Sequence, residues 1–224
     1  MPYNVIPQLE RIRLATRLST TLLFFHSTPW LKDTWCSDDV FFQGIDFKMP
    51  QYLPDLNEPY VDVALKDAHA PVPRTSTLQR GNFAPNPFLF GLGVMLLEVS
   101  FEAPLRSLQQ PVDIHTGQED RNTEFFRAKR VSKSASRPLG DRYTKIVRKC
   151  LSCDFGEGDD LNEIPLQEAV NCSVVHELDL LEKKLYEFSI LMNESCILRG
   201  YQEEGLTPAD RPCRVARVRL PERE

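Results

Sequence analysis

The side chains with metal or nucleophile chemistry fall into a few short stretches. Cys150-x-x-Cys153 is followed by Cys172 and His176, and three thiolates with one imidazole form a set that can hold zinc tetrahedrally. Cys172 and His176 are four apart, the spacing that puts both on one helical face. Against zinc, Cys150 falls on the apolar face of its own segment, where a free cysteine is an ordinary core residue. The paired short spacings of a finger are also missing, so these residues are assigned no metal. A redox role for the same pair needs a βαβ setting, which the surrounding pattern does not supply. His26 beside Ser27 lacks an acid to orient its ring, and it reads as a helix-end histidine on the last carbonyls. Glu157, Asp159 and Asp160 lack the spaced ligands and closing glutamate of a calcium loop and read as a solvated loop. Trp30 and Trp35 flank a turn, where they are expected to anchor a loop to the core rather than form an exposed hot spot. The residues alone assign no catalytic, cofactor-binding or metal site.

The elements that would position these groups are mostly helical. Residues 8–28 carry Leu9, Ile12, Ala15, Leu18, Leu22 and Phe25 at steps of three or four, one apolar face ending before Pro29. Ser37-Asp38-Asp39 signals a turn, and Val40-Phe41-Phe42 a short strand. Gly44, Pro50, Pro54 and Pro59 then interrupt regularity, and 66–87, with Pro71, Pro73, Pro85 and Pro87, reads as an irregular loop. Phe88–Phe101 is apolar on nearly every side and predicts a central, buried helix. Residues 107–124 read as loop and 125–133 as a short helix. Arg142–Leu151 forms a third clear helix with Tyr143, Ile146, Val147, Cys150 and Leu151 on its buried face. A short helix is expected at 161–170 and a long one at 174–192. After Gly200, mixed arginines and acids without a helical period predict a disordered tail over 200–224.

The chain has 224 residues, 42% of them hydrophobic, which is enough for a real core. Its net charge of −5 argues against nucleic-acid binding. Six cysteines in a chain this long fit a reducing compartment. No signal peptide is visible, and the apolar run Phe88–Val99 is far short of the roughly 20 residues of a membrane span. The expected location is cytoplasmic.

The order of the elements carries a resemblance. A helix ending in "LLFFHS" precedes a turn and the strand "DDVFF"; a proline-rich loop leads to "FLFGLGVMLLEVSFEAPL"; a later helix reads "YTKIVRKCL". This series resembles the C-terminal lobe of a protein kinase. "STPWLKDTWCSDDVFF", the isolated "PYV" of residues 59–61 and "LGVMLLEVSFEAPL" look like a fungal domain of unknown function that is itself kinase-like. That domain is found behind helical domains of the prion-inhibition and self-recognition type. The resemblance covers about residues 8–190. It implies a mainly α fold with a few short strands, arranged like a kinase C-lobe without the N-lobe, over residues 8–192.

Phosphoryl transfer in that fold needs an aspartate base, an Asn and an Asp on magnesium, and a lysine on the phosphates. If Asp39 takes the place of the Asn of H-R-D-L-x-x-x-N, the Asp position falls on Thr34 and the His position on Lys32. Asp33 is one residue out of register. Phe88 occupies the position where the resemblance places an aspartate that braces the catalytic loop, and a phenyl ring cannot accept those hydrogen bonds. Asp154-Phe155-Gly156 spells the magnesium motif but lies downstream of the helix it should precede; it reads as a helix end with Gly156 as left-handed terminator. Val63-Ala64-Leu65-Lys66 spells the lysine motif in the wrong order, Asp46-Phe47-Lys48 lacks the glycine, and no G-x-G-x-x-G exists. The expectation is therefore a non-catalytic scaffold or regulatory, protein-interaction module without cofactor. Its partner would be another protein or a missing N-terminal domain. The alternatives are a residual nucleotide binder or phosphotransferase using Asp33, Asp39 and Asp46, and a small module stabilised by zinc on Cys150, Cys153, Cys172 and His176.

Overall fold

In the computed structural model, residues 6–32, 35–42, 59–61, 84–113, 121–134 and 136–203 are described. Six α-helices among them make the fold mainly α: α1 (Gln8–Phe25), α2 (Pro87–Phe101), α3 (Arg121–Ser132), α4 (Ser136–Ser152), α5 (Ile164–Val170) and α6 (His176–Glu203). The strands β1 (Val40–Phe42) and β2 (Pro59–Val61) pair antiparallel, Val40 opposite Val61 and Phe42 opposite Pro59. Pro59 is tolerated because it opens its strand, where a missing N–H costs least. The chain divides into two compact units, Met1–Leu185 and Tyr186–Glu224.

The core of the first unit is built around α2. Leu89, Leu92, Val94, Met95, Leu96 and Leu97 are all buried, as an all-apolar helix requires. Asn86 caps α2 by accepting from Leu89 N–H at 2.9 Å, a cap worth about 1 kcal/mol, and Pro87 follows at the first turn, where it loses no hydrogen bond. The helices α1, α3 and α4 pack on α2. α1 contributes Ile12, Ala15, Leu18 and Leu22, and α4 contributes Tyr143, Val147, Cys150 and Leu151. Gly93 makes the α2–α4 approach possible, since a Cβ there would lie 2.8 Å from Leu151 Cδ2. Tyr143 is fully buried and donates its hydroxyl to Leu96 O at 2.9 Å, so no buried polar group of that ring is left over.

α2 stops at Glu102, whose backbone is left-handed at φ 53°. Glycine usually takes that place. Here the side chain offsets the strain: Glu102 Oε2 accepts from Ile6 N–H at 2.9 Å, and Oε1 lies 3.2 Å from Arg11 Nη1. Arg11, buried in α1, also donates to Ser100 O at 3.0 Å, tying the start of α1 to the end of α2.

Several expected boundaries move. The loop expected over 107–124 contains two 3₁₀ turns, Leu105–Leu108 and Pro111–Asp113, and α3 already begins at Arg121. The reason is a buried carboxylate: Asp113 binds Arg130 of α3, with Nε–Oδ1 at 2.7 Å and Nη2–Oδ2 at 2.6 Å, and accepts from Gln110 N–H at 2.8 Å. α4 is assigned from Ser136, but Gly140 at φ 86° breaks it, so the regular segment begins close to the expected Arg142. The residue that ends α4 is Cys153 at φ 51°, not Gly156, which is left-handed further along the loop. Cys153 N–H bonds Cys150 O and Asp154 N–H bonds Lys149 O, closing the helix before Gly156 is reached. α5, the π-helical turn Asn171–Val175 and α6 follow one another without an intervening loop. α6 runs to Glu203, across the start of the expected tail at 200. Residues 204–224 lie outside the described residues, as does 62–83, most of the expected 66–87 loop.

Candidate functional site

The turn after α1 is where the kinase resemblance puts its chemistry. His26 is buried, and its Nδ1 lies 3.0 Å from Leu23 O, the helix-end contact expected from its position. Its Nε2 is buried with no hydrogen-bond partner among the described residues. Trp35 is 2% exposed and sits on the first turns of α2. Its indole N–H donates to Phe88 O at 3.1 Å. Gly91 is what allows this, since a Cβ would meet Trp35 O at 2.8 Å and Nε1 at 2.9 Å. The loop is thus braced at Phe88 after all, through the backbone carbonyl and an indole rather than a carboxylate. Trp35 therefore anchors the loop as expected. Trp30 does not: its ring packs at a tilt of 42° against Phe25, 5.6 Å between centroids, but remains 54% exposed, and Phe24 at the end of α1 is 72% exposed.

Asp39 accepts the Cys36 N–H at 3.0 Å and faces Cys36 Sγ at 3.7 Å, closing the 3₁₀ turn Ser37–Asp39 that leads into β1. One oxygen of its carboxylate, Oδ2, makes this local cap. Burial pushes the Cys36 thiol up, and the nearby carboxylates of Asp39 and Asp38 add to this, against a backbone hydrogen bond at Asp38 that lowers it. Asp33, Thr34, Asp46 and the Val63–Lys66 stretch lie outside the described residues.

The cysteine and histidine set is spread out. Cys150 is buried among core side chains, and burial pushes its thiol up. Cys153 is buried with Sγ 3.7 Å from Gly158 O. Cys172 is exposed on the π-helical turn and His176 is exposed at the start of α6. Among the described residues no three His, Cys, Asp or Glu side chains gather as metal ligands. Glu157, Asp159 and Asp160 are exposed, as a solvated loop requires; Asp159 O accepts from Asn86 Nδ2 at 2.8 Å, which ties that loop to the cap of α2.

One concave surface is lined by charge. Arg142, Lys145 and Lys149 of α4 face Cys172, Ser173 and Glu177 across a cleft of about 380 Å³. The apolar face of α4 dominates its pattern, but the basic stripe is also written there, at i, i+3 and i+7 in "RYTKIVRK". The pairings Asp113–Arg130 and Arg11–Glu102 span 17 and 91 residues and leave no local pattern; Arg11, expected on the polar face of the first helix, is buried by its pairing.

Among the described residues no helix is long and apolar enough to cross a membrane. No curated protein and no solved structure matches the chain. A family match covers residues 3–183, which include α1 to α5, both strands and the cleft. By that match the chain belongs to DUF7580, a family defined as a domain of unknown function.

Proposed function

We propose that this domain is a non-catalytic interaction or regulatory module, arranged like a kinase C-lobe and working in the cytoplasm of a fungal cell. The observation that carries the reading is the use made of the turn after α1. The position that resembles a catalytic brace is Phe88, and its carbonyl is taken by Trp35. Asp39, which takes the place of a metal-binding asparagine if the resemblance holds, accepts the Cys36 N–H through Oδ2. Phosphoryl transfer depends on positioned charge, and the contacts made at this turn serve to hold the loop. The exposed Phe24 and Trp30 beside this turn supply the kind of aromatic surface that anchors a protein partner.

Two measurements test it. Purified protein with magnesium-ATP is expected to transfer no phosphate and to show no magnesium-dependent thermal shift. A saturable shift that requires magnesium and disappears in Asp39→Ala would overturn the reading in favour of a residual nucleotide site. In parallel, affinity enrichment is compared between the native chain and Phe24→Ser/Trp30→Ser. At least one protein is expected to be lost from the variant, and identical enriched sets would remove the aromatic surface as the interaction site.

A further inference from the structure

The cleft between α4 and the π-helical turn has the makings of a site that neither the resemblance nor the turn after α1 uses. Arg142, Lys145 and Lys149 stand on one stripe of α4, over the buried Ile146. Seven residues of α-helix rise about 10.5 Å, so the three cations line the cleft along its length rather than meeting at one point. Among the described residues, neither Arg142 nor Lys145 has a carboxylate within ion-pair distance. Lys149 is held in place: its Nζ donates to Ser173 Oγ at 3.1 Å and lies 5.8 Å from the Phe155 ring centroid. An ammonium has three N–H donors, so two remain for a ligand. Among the described residues of the lining, Glu177 is the one carboxylate against three cations, in a chain whose net charge is −5.

The opposite wall adds an independent pointer. Cys172 and Ser173 come from the five-residue π-helical turn Asn171–Val175, between α5 and α6. Single π turns inside helical runs concentrate at functional sites, because the wider turn costs stability and re-aims side chains. Here it brings a hydroxyl to the end of a lysine. A volume of about 380 Å³ falls in the size range of small-ligand sites.

We propose that this cleft binds a small ligand bearing a diphosphate, with Lys149 and Ser173 on one phosphoryl group and Lys145 and Arg142 along the other. A single phosphate reaches only adjacent members of the stripe, whereas two linked phosphoryl groups can engage all three cations. Charge-assisted donors of this kind are the usual means of holding phosphate oxygens.

The test uses the native chain and inorganic pyrophosphate, without magnesium. Calorimetric titration is expected to give saturable one-to-one binding, stronger than that of inorganic phosphate and weakened by salt. Lys145→Gln/Lys149→Gln should lose at least tenfold in affinity at unchanged melting temperature, while Lys183→Gln, on α6 and paired with Asp179, should bind like the native chain. Cys172 offers a second reading in the unmodified protein: pyrophosphate should slow its alkylation, mapped by peptide, without changing that of Cys36. Absence of saturable binding, equal loss in the Lys183 variant, or alkylation of Cys172 indifferent to pyrophosphate would each overturn the proposal. So would phosphate binding as well as pyrophosphate, or binding only of a phosphorylated peptide. Because the assay omits magnesium and its variants lie on α4, its outcome is separate from that of the nucleotide test on Asp39.

Discussion

Asp113 offers the sharpest test of how the fold is held. Its side chain is 2% exposed and takes two charged hydrogen bonds from Arg130, which is itself 26% exposed. It also takes the Gln110 N–H, and Arg127 Nε lies 4.0 Å from Oδ2. Hydrogen bonds to charged groups contribute about 1.5–3 kcal/mol each, and breaking a buried pair costs about 3–5 kcal/mol. Arg130 regains water when released, so Asp113→Ala should cost about 3 kcal/mol, the low end of that range. Arg130→Ala should cost about 2 kcal/mol, because Arg127 still faces the carboxylate. Urea unfolding of both single variants and the double variant gives the coupling, expected at about 1–2 kcal/mol. The same carboxyl predicts a pH dependence. The Arg130 hydrogen bonds hold it below the usual carboxylate range. Its folded pKa is therefore lower than its unfolded one, so the contribution is complete above an unfolded pKa of about 3.9 and is lost as pH falls through the folded value. Asp113→Ala should flatten the acid limb of stability against pH. A cost under about 1 kcal/mol, or an unchanged acid limb, would show that the pair is not desolvated and that the turns before α3 are held by something else.

Three further outcomes are expected. Gly91→Ala should push Trp35 off α2, destabilising by about 1–3 kcal/mol and red-shifting tryptophan emission; unchanged emission would mean that the added methyl is accommodated with Trp35 still seated on α2. Tyr143→Phe removes one buried hydrogen bond without changing packing volume and should cost about 1 kcal/mol by urea unfolding, whereas a neutral result would mean that water already serves Leu96 O. In native protein, peptide-mapped alkylation should mark Cys172 early and reach Cys150 only on unfolding; early labelling of Cys150 would contradict its place in the core.

The residue pattern alone determined the helices that bury one face or all faces. The apolar period of α1, the all-apolar run of α2 and the Tyr143–Leu151 face of α4 are local properties, because a helix repeats every 3.6 residues and its burial is written at that spacing. The turn at Ser37–Asp39, the strand at Val40–Phe42 and the helix-end role of His26 were legible for the same reason. What the sequence could not decide is which distant groups meet. Arg11 finds Glu102, Asp113 finds Arg130 and Trp35 finds the carbonyl of Phe88, and each pairing depends on how helices stack rather than on spacing. The cleft is the same kind of feature. Its basic stripe is written in α4, but only the packing of the π-helical turn beside it sets a serine against Lys149 and turns three surface cations into one wall of a concave site. Helical periodicity reports what a face needs to bury, and tertiary structure decides what the opposite face is brought to meet.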